Sequence, residues 1–174
     1  GVAKTVIPPQ MYGLKSPGSA LHSQRGELRS RLPIMELRPG TRIDRYTVES
    51  KLGEGGMAKV YRVRHQQLGT SHALKVLTLT SPAIQERLLQ EGRVQAQLNH
   101  RNIVSVTDVI DVNGASGLIM EFVNGPTLEA LIARQRLNFA QVDELAQEIV
   151  SAMAEAHKRD LIHRDLKPAN IILE

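Results

Sequence analysis

Apolar and polar positions alternate in short runs along the middle of the chain, then recur at three- and four-residue steps toward its end. Residues 46–52, 59–64 and 72–77 are β-branched or alternating runs bounded by turn residues, the pattern of antiparallel hairpins. Gln67-Leu68-Gly69-Thr70-Ser71 supplies the second turn. A helix follows, with Ser81 as its cap and Pro82 at its first position. Residues 103–112 and 117–123 read as two further strands around an Asn113-Gly114 turn. Residues 127–134 make a short helix. Asn138 opens a longer one, with Gln141 three residues on as in a capping box. Val142, Leu145, Ile149, Met153 and Ala156 then share one face, a stripe assigned to core packing. The order is five strands with one helix inserted, then helices. That is an α+β chain in two parts, with a hinge at residues 121–125.

Residues 1–40 have no such period. Pro8-Pro9, Ser16-Pro17-Gly18-Ser19, Arg29-Ser30-Arg31 and Arg38-Pro39-Gly40 break any pattern, and the stretch reads as an irregular basic extension or linker. Met35 is an alternative start, which would leave residues 1–34 as upstream sequence. The organisation expected is an extension at 1–40, a strand-rich unit with the hinge at 41–123, and a partial helical unit at 124–174.

Composition narrows the function classes. With 22 basic and 18 acidic residues in 174, the net charge of +4 is spread along the chain, and aromatics are only 3%. No zinc or RNA-recognition motif accompanies the charge, so nucleic acid is not the expected partner. There is no cysteine, which excludes disulfides and thiolate metal sites and fits a reducing cytoplasm. No run of about 18 apolar residues exists, so no membrane contact is expected within this segment.

Four clusters carry chemistry. Gly53-Glu54-Gly55-Gly56-Met57-Ala58-Lys59-Val60 places glycines between two strands rather than before a helix. A hairpin tip of that kind brings bare backbone N–H groups close to phosphates, whereas an ordinary glycine-containing hairpin gives the same local pattern. Ala73-Leu74-Lys75-Val76 puts Ala73 and Lys75 on one strand face. The small Ala leaves room for a flat ring, and the ammonium meets phosphate oxygens as a point charge. In the first helix Ile84, Leu88, Glu91, Gln95 and Leu98 share a face, so Glu91 needs a cation when that face is buried, and Lys75 is the candidate. Gly92 beside it is costly in a helix interior, by about 1 kcal/mol relative to alanine.

The most specific cluster is His163-Arg164-Asp165-Leu166-Lys167-Pro168-Ala169-Asn170. One loop offers a carboxylate, a lysine two residues on and an amide five residues on. Asp165 can orient an incoming hydroxyl and accept its proton, Lys167 can neutralise a phosphoryl group in transfer, and Asn170 can bind magnesium.

On these residues the sequence resembles the protein kinase superfamily, most closely the bacterial serine/threonine kinases of eukaryotic type, over residues 41–174. Leu52 to Val60 resembles the glycine-rich loop, with Ala58 where a third glycine usually stands. His100-Arg101-Asn102-Ile103-Val104 resembles the His-Pro-Asn-Ile-Val segment, with Arg101 in place of proline. Leu118 to Val123 resembles the strand entering the hinge. The resemblance implies a kinase-like fold, with a five-stranded antiparallel sheet and one helix ahead of a helical part. It implies ATP and Mg2+ as cofactors and a protein substrate with a Ser or Thr acceptor. It implies Lys75 paired with Glu91, Met120 as gatekeeper, and the backbones of Glu121 and Val123 on the adenine edge. Lys-Pro-Ala-Asn is the serine/threonine spelling, and Arg164 before Asp165 resembles kinases controlled by activation-loop phosphorylation.

The Asp-Phe-Gly magnesium motif is expected roughly 15–20 residues beyond Asn170, whereas Glu174 is the last residue here. The chain alone is therefore expected to transfer no phosphate. The alternative weighed against an active kinase is a nucleotide-binding pseudokinase or interaction module. A small-molecule kinase of related fold ranks last, because such enzymes lack the full loop with Lys167.

Overall fold

The computed structural model describes residues 2–6, 36–55, 58–78 and 82–174. At residues 82–84, 87 and 91 the description covers the backbone alone. Among these residues eight strands and three α-helices run in the order β1 (Ala3–Thr5), β2 (Arg42–Ile43), β3 (Tyr46–Glu54), β4 (Ala58–His65), β5 (Ser71–Leu77), α1 (Pro82–Gln95), β6 (Val106–Val112), β7 (Ala115–Glu121), α2 (Leu128–Ile132), α3 (Phe139–His157) and β8 (Ile171–Leu173). The proposed cap Ser81 lies outside the described residues.

Strands β2 to β7 form one antiparallel sheet in the order β2-β3-β4-β5-β7-β6. It has six strands where the sequence reading gave five. The extra one is β2, whose Arg42 and Ile43 pair with Thr47 and Tyr46. Asp44 turns the chain there with φ 49°, a conformation that aspartate tolerates better than most residues, and the short hairpin drops Ile43 into the core at 8% exposure. The expected strand at 103–112 begins only at Val106, because Ile103 is bridged instead to Thr5.

Alternation along β5 sorts its side chains onto two cores. Leu74 and Val76 join Val48, Tyr61, Val63 and Ile119 on one face. Ala73 and Leu77 join Leu88 of α1, Val104, Leu118, Met120 and Val123 on the other. Each fully buried Leu or Val contributes about 1.5–3 kcal/mol of transfer free energy. Helix α1 lies so close to β7 that a Cβ on Gly92 would sit 2.8 Å from Leu118 Cδ2. That close approach accounts for a glycine in mid-helix. Among the described side chains of its inner face, Leu88 and Gln95 are buried, and Gln95 donates to the Val104 carbonyl at 3.4 Å, whereas Leu98, expected on the same face, is buried past the end of the helix.

Helix α3 starts as expected: Asn138 accepts from the Gln141 N–H at 2.9 Å, and Gln141 Oε1 accepts from the Asn138 N–H at 3.0 Å. Its apolar stripe is only partly core. Ala152 and Ala156 are fully buried against Leu98 and Ile103, whereas Val142 is 50% exposed. Helical spacing fixes which residues share a face; burial depends on a neighbour, and here it reaches only the C-terminal half.

The irregular extension also needs correction at its start. Residues 3–5 form β1, which pairs antiparallel with β8, Lys4 lying opposite Ile172. Residues 7–35 of the extension lie outside the described residues. No helix among the described residues is long and apolar enough to cross a membrane.

Candidate active site

A cleft of about 410 Å³ opens between the sheet and the loop that follows α3. Its sheet wall is Leu52 and Gly53 of β3, Val60 of β4, Ala73 and Lys75 of β5, and Met120 and Glu121 of β7. Val123 continues the wall past the end of β7, and Asn170 closes it from the other side. Nine residues singled out from sequence therefore meet in one cavity. The ladder explains the meeting: Val60 lies opposite Lys75, and Ala73 lies opposite Met120.

The other predicted residues fall elsewhere. Glu54, Gly55, Ala58 and Lys59 form the hairpin base beside the cleft, where the Gly55 N–H donates to the Ala58 carbonyl at 2.8 Å. Glu54 pairs there with Lys51 and, at 3.7 Å, with Lys59. Gly56 and Met57 lie outside the described residues, and so does the Glu91 side chain, which leaves its pairing with Lys75 as an expectation.

Asp165 and Lys167 stand at the rim. The loop turns sharply at Arg164, whose φ of 59° is strained for a bulky residue and costs about 1–3 kcal/mol. Around that turn His163 is buried at 3% exposure, whereas the Asp165 side chain is 51% exposed. Lys167 Nζ lies 3.0 Å from Asp165 Oδ2. Asn170 Nδ2 donates to the Asp165 carbonyl at 2.8 Å and to its Oδ2 at 3.0 Å. The hydrogen bond from Lys167, then that from Asn170, holds the Asp165 carboxyl below its ordinary value, so it is an anion at neutral pH. With Nδ2 spent on Asp165, the amide oxygen of Asn170 is the atom left to meet a hard cation in the cleft.

His163 is set by its neighbours. Burial pushes its pKa down, so the ring is neutral. The Asp165 N–H donates to Nδ1 at 3.3 Å, which puts the ring proton on Nε2, and Nε2 donates to the Val6 carbonyl at 2.9 Å.

The sequence reading missed part of the lining. Val104 and Ala169 lie inside motifs without having been given a role, Ile172 follows one, and Phe122, Asn124 and Gly125 lie in the hinge stretch, so membership of or proximity to a motif is the signal that could have found them. Thr127 lines the cleft and caps α2, accepting from the Ala130 N–H at 3.1 Å. Val6 gave no signal at all. Gly125 is set by packing: a Cβ there would lie 1.7 Å from the Leu173 carbonyl oxygen.

The family model described as protein kinase domain matches residues 46–174. The chain belongs to the protein kinase family. The curated proteins it matches include bacterial serine/threonine-protein kinases. It is 38% identical to pkn3 of Myxococcus xanthus over 135 residues, which are 75% of this chain and 25% of that protein. It is 38% identical to PknF of Mycobacterium tuberculosis over 146 residues, 80% of this chain and 30% of that one. Among solved structures, the Mycobacterium tuberculosis PknI kinase domain superposes with a TM-score of 0.68 at 31% identity, covering 79% of this chain and 58% of that chain. The PpkA-294 apo form gives 0.72 at 25% identity, covering 80% and 58%. This kinase chain thus spans 25–30% of those two curated relatives and 58% of those two solved domains.

Proposed function

We propose that this chain is the nucleotide-binding and catalytic-loop portion of an ATP-dependent protein kinase that phosphorylates serine and threonine hydroxyls. One observation carries the reading: Lys75 and Asn170, from segments far apart in sequence, line one cleft, and Asn170 is bonded to Asp165. The cleft's chemistry fits a nucleoside triphosphate. Leu52, Val60, Ala73, Met120 and Ile172 supply apolar walls for a flat base. The Glu121 N–H is already given to the Ser105 carbonyl at 2.9 Å, which leaves the base edge to the Glu121 carbonyl and the Val123 backbone. The Lys75 ammonium takes phosphate oxygens.

At the other end the acceptor hydroxyl meets Asp165. Its oxygen bonds to the γ-phosphorus as the bond from that phosphorus to the β-γ bridging oxygen breaks. The hydroxyl proton passes to the Asp165 carboxylate, and ADP leaves. Lys167 offsets charge on the phosphoryl oxygens, and the work is mostly positioning and neutralisation. The Asn170 amide oxygen would hold a magnesium ion, which supplies further neutralisation of the phosphates. Among the described residues no group of three or more His, Cys, Asp or Glu could hold a metal.

Phosphotransfer to a Ser/Thr peptide, measured on the protein carrying this segment within its whole kinase domain, tests the reading. Asp165→Asn is expected to lower kcat by about a thousandfold with nucleotide affinity retained. Unchanged transfer by that variant would sink the assignment of Asp165. Nucleotide binding with no transfer by the unaltered domain would make it a nucleotide-binding module instead.

A further inference from the structure

Three consecutive hinge residues are anchored, each to a different part of the fold. The Glu121 N–H donates to the Ser105 carbonyl at 2.9 Å, and Val123 is 6% exposed in the core it shares with Leu118 and Met120. Phe122 stands between them. The ladder between β5 and β7 ends at His72 opposite Glu121, so Phe122 is the first residue past the paired strand. Its anchor is Arg62 of β4, whose guanidinium carbon lies 4.6 Å from the centre of the Phe122 ring, within the range of a cation–π contact. Arg62 lies opposite Ala73 on the ladder, and Ala73 lines the cleft, so the Arg62 side chain stands on the cleft side of the sheet. The guanidinium is itself held at two points. Its Nε forms an ion pair with Glu49 Oε2 at 2.7 Å, and its Nη2 donates to the Ser71 hydroxyl at 3.2 Å. Those two partners fix where the flat cation sits before any ligand arrives.

We propose that Arg62 is a positioning residue for the nucleotide base: by holding the Phe122 ring it aims the hinge backbone that meets the base edge. The Glu121 carbonyl belongs to the peptide plane before Phe122, and the Val123 N–H belongs to the plane after it. The φ and ψ of Phe122 therefore point both groups. A residue past the end of a ladder keeps that freedom unless its side chain is tied, and ordering it in advance removes the cost from binding. Glu121, Phe122 and Val123 all line the cleft and Arg62 does not, so Arg62 acts through the ring and not on the nucleotide. Lysine would keep the charge there but not the flat, two-point-held plane. The effect falls on the base, at the far end of the nucleotide from Asp165 and Lys167, so affinity changes without turnover. The inference rests on the nucleotide reading above.

Nucleotide titration and steady-state transfer, on the protein carrying this segment within its whole kinase domain, test it. Arg62→Met is expected to weaken ATP and adenosine by the same factor, about fivefold, and to leave kcat at saturating ATP within about twofold of the parent. Phe122→Leu is expected to weaken adenosine at least as much. The double variant is expected to bind no more weakly than Phe122→Leu alone, because the second change removes a contact already gone. Parent-like adenosine affinity in Arg62→Met would overturn the proposal, and so would losses that multiply in the double variant. Weaker ATP with unchanged adenosine would put the effect on the phosphates and overturn it as well. If Arg62→Met melts well below the parent, Arg62→Lys decides, since it keeps the stem and the charge but not the plane. Weaker adenosine in that variant upholds the proposal, and parent-like adenosine overturns it. A parent that binds neither ATP nor adenosine fails the nucleotide reading and takes this inference with it. A parent that binds both, with Arg62→Met its equal, fails this inference alone.

Discussion

The two sheets of this molecule are assembled from opposite kinds of contact. In the six-stranded sheet four of the five pairings, β2-β3, β3-β4, β4-β5 and β6-β7, join strands that follow one another in the chain. Only β5-β7 reaches across α1 and β6. The ribbon of β1 and β8 joins the beginning of the chain to its end. Hairpins close short loops at small entropic cost, and their pattern is complete within a few residues. A strand whose partner lies almost a whole chain away leaves no local mark. The same contrast separates an apolar sheet core from a ribbon held by Asn102, Glu148 and His163.

Emptying the sheet core is expected to have the largest effect. Leu74 is 0% exposed, and Leu74→Ala is expected to cost about 2–5 kcal/mol. Chemical denaturation should show sheet and ribbon melting together. A ribbon that outlasts the sheet would mean that the two are independent.

Next comes Gly125→Ala. The new Cβ would strike the Leu173 carbonyl, a backbone atom, so β8 itself must shift. The expected loss is about 1–3 kcal/mol, with exchange rising first at residues 171–173. Gly53→Ala is the contrast, because a Cβ there meets nothing within 4 Å; its stability should stay within about 0.5 kcal/mol of the parent. Equal effects from the two glycines would refute the close packing of hinge on ribbon.

The smallest effect is the response to acid. Burial holds the folded pKa of His163 below the ordinary 6.5. The unfolded chain gains a proton as pH falls through that value and the folded chain does not. Stability is therefore full above it and declines as pH drops toward the folded value. His72, depressed by burial as well, acts with the same sign. The depressed carboxyl of Asp165 matters only in more acid solution, below its ordinary 3.8. Urea midpoints at about pH 7.5 and about pH 5.5 should differ in the parent, and differ less in His163→Gln. A parent midpoint that rises on acidification would contradict the neutral ring.

Most of the sheet was legible because its determinants are local. Alternation in β3, β4 and β5 placed Ala73 with Lys75 and Leu74 with Val76, and the two cores keep that division. The cap at Asn138 was legible for the same reason. In the site, Lys75 and Asn170 were found through their motifs, and the fold supplied the cleft that joins them. What sequence could not supply was partnership. Val142 lies on the apolar stripe of α3 yet stays half exposed, because a face is a property of spacing and a core requires a second surface. Val6 belongs to the cleft through hydrogen bonds to the distant Asn170 and His163. Ile43 enters the core because a two-residue turn at Asp44-Arg45 doubles the chain back.

The proposed function requires one nucleotide to engage both sides of the cleft at once. Hydrogen exchange of the 174-residue chain with and without saturating ATP tests it directly. Protection is expected to rise together in two stretches, residues 52–60 with 73–75 and residues 165–172, and Lys75→Met is expected to abolish it in both. Protection confined to one stretch, or appearing only outside the cleft, would contradict it.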